Sequence, residues 1–353
     1  MKRLYFLILI SLVAVASAFS QGSAPCSQVL RLVRTTYEQG RLHELPALTE
    51  GCLKAPEGKG FTKEEKRETY RWLTLAYIYL EEPEKADEMM LNLLNTDHFY
   101  EVNKTVDPAE FIALYNKFRT KPIFNFGLKF GMNVTQPIVT SNYYVSSPSS
   151  GNGKYSLAPS LNVLGVFHKA ITNNITFAPE IGLVLRNYNY GNPSLAKSDS
   201  TGNLISSQNF VIKQTWIDLN AIGIYYLKPT AWNPYIGFGP GISYLLGSNN
   251  QPNTVLGNGF TVTGPTVDDS KSYNKMLYSL TVLAGVKRRI GELYLIADIR
   301  YQYGLSNAVK ASSRSNSELA YDYQGQYNDY HMNNFMINVG VLIPKFSPKK
   351  LIK

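Results

Sequence analysis

From Phe124 to Val134 every second residue is apolar: Phe124, Phe126, Leu128, Phe130, Met132 and Val134 alternate with Asn125, Gly127, Lys129, Gly131 and Asn133. Successive side chains of a β-strand point to opposite faces, so this segment has an apolar wall and a polar wall that carries a lysine. Which wall meets water decides what kind of protein the chain makes.

The same period of two defines eight strands up to the C-terminus. Later runs carry Leu161, Val163 and Phe167; Ile175, Phe177 and Ile181; Ile217, Leu219 and Tyr225; Ile236, Phe238 and Ile242; Met276, Tyr278 and Leu280; Leu293, Leu295 and Ile299; and Phe335, Ile337 and Val339. Their connections alternate in length. Short turns fall at Thr172 to Asn174, Pro229 to Asn233 and Gly291-Glu292, and long loops at about 135–154, 188–209, 248–274 and 306–331. Short turns at one end and long loops at the other describe an up-and-down outer-membrane barrel with its turns in the periplasm. The even strand count returns the C-terminus to the turn end.

A soluble sandwich or lipocalin-like barrel would alternate too, with the apolar walls inside. An eight-stranded interior is just wide enough for side chains, and about five large apolar residues from every strand would crowd it. The walls are therefore read inside out, with the apolar one on lipid. Lys129, Glu180, Arg186, Asp218, Lys287, Asp298 and Arg300 then turn inward. Buried charges require partners, so they are expected to form an ion-pair network that plugs the barrel, with a conducting pathway as the functional alternative. Glycines on the inner wall, Gly127 and Gly285 among them, would relieve crowding there.

Lys2 and Arg3 precede an apolar run from Leu4 to Ala16 that ends in Ala16-Ser17-Ala18, which marks residues 1–20 as a signal peptide. The run is too short for a membrane-spanning helix, which needs about 20 residues. Export places Cys26 and Cys52, the chain's two cysteines, in an oxidising compartment, where a disulfide is favoured over a metal site or a nucleophile. It also makes nucleic acid an improbable partner for the net charge of +9, whose densest run is Lys287-Arg288-Arg289; lipid phosphates are the better counter-charge.

Residues 21–120 have helical spacing. Thr62 and Glu65 form a capping box ahead of Tyr70, Leu73, Ala76 and Tyr77. Glu82-Pro83 breaks that helix, a second runs from Lys85 to Asn95, and Asp107-Pro108 opens a third with Asp107 as N-cap. Residues 26–46 make a first helix. The stretch Tyr70 to Leu80 with Glu84-Lys85-Ala86 and Leu93-Leu94 resembles one tetratricopeptide repeat, in which helices pack through such small and aromatic positions. That spacing suits a protein-binding module, or a helical domain that only packs on its neighbours.

No catalytic motif is present. His43, His98, His168 and His331 lie on different elements without metal-ligand or nucleophile-elbow spacing, and His168 is expected at the barrel rim. Asp268-Asp269 are read as solvated loop carboxylates. No cofactor, metal or catalytic residue is assigned.

The strand Phe126 to Asn133 and the glycine-rich Pro234-Tyr235-Ile236-Gly237-Phe238-Gly239-Pro240-Gly241 resemble the PorT-like outer-membrane β-barrel family of Bacteroidota, over roughly residues 124–346. The segments Phe61 to Lys66 and Asp107 to Arg119 are similar to a tetratricopeptide-like extension found ahead of some such barrels. The resemblance implies a place in the outer membrane and, for some members, assistance to type IX secretion or gliding; it brings no catalytic residues. Many barrels end in an aromatic residue, whereas Phe346 is followed here by Ser347 to Lys353.

The expected architecture is α+β and multidomain: signal peptide 1–20, a periplasmic TPR-like helical domain at 21–120, and an eight-stranded antiparallel up-and-down transmembrane β-barrel at 121–353. The expected role is non-enzymatic. The chain would serve as an anchor or assembly component in outer-membrane lipid, with a periplasmic protein partner held through residues 21–120. The alternatives are an adhesin-like barrel that binds a ligand through its long loops, or a small pore or lipid-modifying enzyme.

Overall fold

The computed structural model describes residues 24–56, 58–143, 153–192, 196–198, 200–227, 231–314 and 327–351. The expected signal peptide lies outside them. Two compact units emerge, one spanning Ile123–Lys345 and the other comprising the residues before Ile123 together with Phe346 onward.

The helical unit contains α1 (Ala24–Glu38), α2 (Leu45–Lys54), α3 (Lys63–Tyr79), α4 (Pro83–Thr96) and α5 (Ala109–Tyr115). Residues 26–46, read as one first helix, are helical only to Glu38; the chain then turns at Gly40, whose φ of 76° suits a residue without Cβ, and α2 begins at Leu45. At the start of α3 the Glu65 N–H donates to Thr62 Oγ1 (3.2 Å), and the Thr62 N–H to Glu65 Oε2 (2.8 Å), the reciprocal box expected there. Pro83 sits in the first turn of α4, where its missing N–H costs nothing. Leu75, Met90, Leu93, Leu94 and Phe111 fill the core between α3, α4 and α5, and Val33, Leu45, Leu73 and Ala76 fill a second core toward α1 and α2. The Cys26–Cys52 disulfide joins α1 to α2.

Asp107 does not cap α5. Its Oδ1 accepts from Arg71 Nε (2.9 Å) and its Oδ2 from the Asn103 N–H (2.7 Å), and the N-cap is Pro108. A charge-assisted bond to a largely buried guanidinium outcompetes a cap worth about 1 kcal/mol. The C-terminal tail also departs from expectation, because residues 346–351 belong with the helices. The Arg119 N–H donates to Lys349 O, the Leu351 N–H donates to Lys117 O, and Phe346 stacks on His98 and meets Phe99 edge-on.

The other unit is built on eight long strands: β1 (Phe124–Ser141), β2 (Pro159–Ala170), β3 (Ile175–Gly191), β4 (Leu204–Tyr226), β5 (Asn233–Leu256), β6 (Met276–Ile290), β7 (Leu293–Gly304) and β8 (Asp329–Lys345). All neighbours are antiparallel, and each strand pairs with the next in sequence. β1 also pairs with β8 from Phe124↔Lys345 onward, so every long strand has a partner on both edges. Several segments read as loop are strand. β4 and β5 run 23 and 24 residues, and Thr261–Thr263 and Val267–Asp268 fold back onto β5.

The walls are inverted relative to a soluble protein. Phe126, Leu128, Phe130 and Met132 are 44 to 59% exposed, whereas Lys129 is 0% and Asn133 2% exposed. Outward Phe167, Tyr225 and Trp232 lie toward the turn end, and Tyr244, Tyr278 and Tyr303 toward the loop end. Gly127 does not serve the role expected of it. A Cβ there would lie 1.8 Å from the Val341 carbonyl oxygen, so the glycine permits close approach of neighbouring backbone rather than relieving side-chain crowding.

Candidate functional site

The inner wall is polar by sequence, and the strands stack its side chains in levels. At one level Lys129 Nζ donates to Glu180 Oε1 (2.8 Å) and Asp298 Oδ2 (2.7 Å). Arg300 donates to both oxygens of Asp298 (2.9 and 3.1 Å) and to both of Glu180. Two cations and two anions, from β1, β3 and β7, thus neutralise one another. Asn338 Nδ2 donates to Asp298 Oδ1 (2.9 Å), and Asn338 Oδ1 accepts from Asn162 Nδ2 (2.6 Å), which extends the network to β8 and β2.

Nearer the loop end, Arg186 Nη2 donates to Asp218 Oδ1 and Oδ2 (2.9 and 2.8 Å), to Ser243 Oγ (3.0 Å) and to Gln302 Oε1 (3.1 Å). Its guanidinium lies 5.2 Å from the Trp216 ring centroid. Beyond it the interior becomes aromatic. Tyr188, Tyr190, Trp216, Tyr273 and Tyr330 pack as one buried cluster, with a 2.7 Å hydrogen bond between the hydroxyls of Tyr188 and Tyr330. Sequence reading misses this cap, because all of these members but Trp216 sit in segments that lack apolar alternation and read as loops.

Six of the seven interior charges anticipated from sequence therefore come together as two neutral groups. Lys287 stands apart, with its ammonium 4.0 Å from the Tyr294 ring centroid and 5.5 Å from that of Tyr226. His168, expected at the rim, is wholly buried, and neither ring nitrogen has a hydrogen-bond partner. Its alternation with outward Phe167 on β2 sends it inside.

Of the acidic pair in the third long loop, Asp268 is exposed and accepts from the Ser270 N–H (2.9 Å). Asp269 is not solvated as expected. It is 4% exposed, accepts weakly from Asn250 Nδ2 (3.4 Å), and burial pushes its carboxyl up to about 6. Among the described residues no group of His, Cys, Asp and Glu side chains could hold a metal ion.

The helical unit carries a groove of about 510 Å³. Tyr77, Ile78, Ala86, Ala113 and Leu114 give it an apolar floor, and Glu81, Asp87, Glu110, Lys117 and Lys350 lie around it. Among the described residues no helix is long and apolar enough to cross a membrane.

A sheet that turns its apolar wall outward and fills its inner wall with paired acids and bases is the arrangement of an integral-membrane β-barrel. The chain matches the family described as outer membrane protein beta-barrel domain over residues 118–310, more than half its length, and belongs to that family. Among solved structures it is similar to surface protein A of Neisseria (16% identity, TM-score 0.31, 63% of this chain and 96% of that one). It is also similar to OprG of Pseudomonas aeruginosa (10%, TM-score 0.31, 63% and 96%) and to Ail, the attachment invasion locus protein of Yersinia pestis (10%, TM-score 0.28, 63% and 99%). No curated protein matches the sequence.

Proposed function

We propose that the protein is a closed eight-stranded barrel of the PorT-like kind, filled by its own side chains. Residues 21–120 then form a periplasmic TPR-like module that binds a protein partner. The whole acts as a non-enzymatic anchor or assembly component of a secretion or motility machine. The observation that carries the filled barrel is the contrast between exposed Phe130 and Met132 and the wholly buried quartet of Lys129, Glu180, Asp298 and Arg300. The even strand count supports the orientation, since β1 begins and β8 ends at the end that holds the three short turns. The groove of the helical unit supports the partner, because an apolar floor with a charged rim suits an amphipathic segment.

A photo-crosslinker at Ala113 in the full chain, expressed in the outer membrane, tests this reading. A discrete adduct with one periplasmic protein is expected.

One observation favours a second reading, a surface-binding barrel. β4 and β5 far exceed the roughly 9 to 11 residues that cross a bilayer. With β3 they wall a cleft of about 690 Å³ lined by Asn189, Asn209 and Asn253. If Ala113 gives no adduct while shortening residues 200–203 abolishes the cellular phenotype, that second reading takes its place.

A further inference from the structure

The seven interior charges comprise four cations, Lys129, Arg186, Lys287 and Arg300, and three anions, Glu180, Asp218 and Asp298. Ion pairs consume every anion and every cation but one. The excess charge is Lys287, near the turn end of β6. Its ammonium lies near the rings of Tyr226 and Tyr294, and among the described residues it has no carboxylate partner.

Around Lys287 are side chains whose polar atoms are also unused. Tyr226 and Tyr235, on β4 and β5, have ring centroids 5.6 Å apart, and neither hydroxyl is hydrogen-bonded. Both nitrogens of His168, on β2, are free, and Lys287 is among the charges that act on its ring, with Lys129, Glu180 and Asp298. Asn125, paired with His168 across β1 and β2, has an unpartnered Oδ1. His168, Tyr235 and Asn125 are 0, 1 and 7% exposed. Tyr235 packs over Gly285, where a Cβ would lie 2.6 Å from its hydroxyl.

Buried polar groups ordinarily find partners, and a half-buried cation such as Lys287 gains from a counter-charge. Here an ammonium, two hydroxyls and an imidazole approach from four strands. All can donate, and the acids that act on His168 and Tyr235, Glu180 and Asp298, are already paired with Lys129 and Arg300. We propose that this turn-end cluster of donors binds a small oxyanion of the phosphate class, which supplies the missing charge and has enough acceptor oxygens for donors arriving from several directions. The phosphate is either free or carried on a lipid headgroup. The proposal requires the filled barrel and is independent of any protein partner.

The full chain, purified in detergent stripped of phospholipid, is titrated with inorganic phosphate by calorimetry. Phosphorus retained on protein purified with native lipid is assayed in parallel. Wild type should bind phosphate saturably at one site, or retain about one lipid phosphate. Lys287→Met should weaken the binding, or the retention, about tenfold or more, as befits a charge-assisted bond. Tyr235→Phe, which removes only a hydroxyl, should weaken it less, and Arg288→Met, on the outer wall, should leave it unchanged. Free-phosphate binding and lipid retention distinguish the two sources. Circular dichroism confirms that each variant is folded, and Tyr235→Phe keeps the test open if Lys287→Met is not. Neither saturable binding nor retained phosphorus in wild type overturns the proposal, and so does unchanged affinity in the folded variants.

Discussion

Lys129 Nζ lies 2.7 Å from Asp298 Oδ2, although the two residues are 169 positions apart in sequence. β1 reaches β7 only across the inner wall, with β8 between them, so this pair exists because the first strand pairs with the last. Glu180 and Arg300 complete the group. Its strength lies in completeness, since removing one member leaves a buried charge unmatched.

Lys129→Met should therefore cost about 3 to 5 kcal/mol of folding stability, the usual penalty for breaking a buried pair from one side. Urea unfolding in detergent measures it. Lys129→Met combined with Glu180→Gln restores neutrality and should recover part of the loss. Equal stability of wild type and Lys129→Met would show that the quartet does not hold the interior together.

On the outer wall, Phe130→Arg places a charge at mid-strand and should destabilise the barrel in lipid by about 2 to 4 kcal/mol. In a soluble protein the same change at a residue 59% exposed would be close to neutral. Folding into vesicles, followed by tryptophan fluorescence, separates these outcomes.

Reduction should act on the helical unit alone. The Cys26–Cys52 bond spans 26 positions, and cross-linking a loop of that size contributes about 3 kcal/mol. Cys26→Ser/Cys52→Ser should lower the helical melting transition, read at 222 nm, and leave the strand signal unchanged.

Asp269 gives the loop end a pH dependence. Its folded carboxyl titrates near 6, raised by burial from 3.8. The native form thus holds its proton more tightly than the unfolded one. Stability from this group is fully present below about pH 4 and is lost as pH rises through 6, by up to about 3 kcal/mol. Hydrogen exchange across 245–275 should slow as pH falls from 7 to 5, after correction for the intrinsic rate. Asp269→Asn should abolish that trend.

The strand walls were legible because alternation needs only neighbouring residues, and the Thr62–Glu65 box was legible for the same reason. The pairing partners of the charges were not, since a period of two places Lys129 and Asp298 on one wall without saying that they touch. The ends of β4 and β5 escaped notice because Asn249, Asn250 and Asn253 carry no apolar alternation, and above a bilayer none is required. A position near a strand end suggests the rim for His168, yet its alternation with Phe167 points inward. Order in the chain alone puts the tail with the strands, whereas Phe346 packs with His98 and Phe99.

The central claim is that the apolar wall faces lipid, and oxygen accessibility of spin labels along β1 tests it most directly. Cysteines at 126, 128, 130 and 132, labelled in vesicles, should be accessible to membrane-dissolved oxygen and shielded from an aqueous nickel chelate. Labels at 125 and 133 should be poorly accessible to both. Labels at 128 and 130 shielded from oxygen, or freely reached by the chelate, would contradict it.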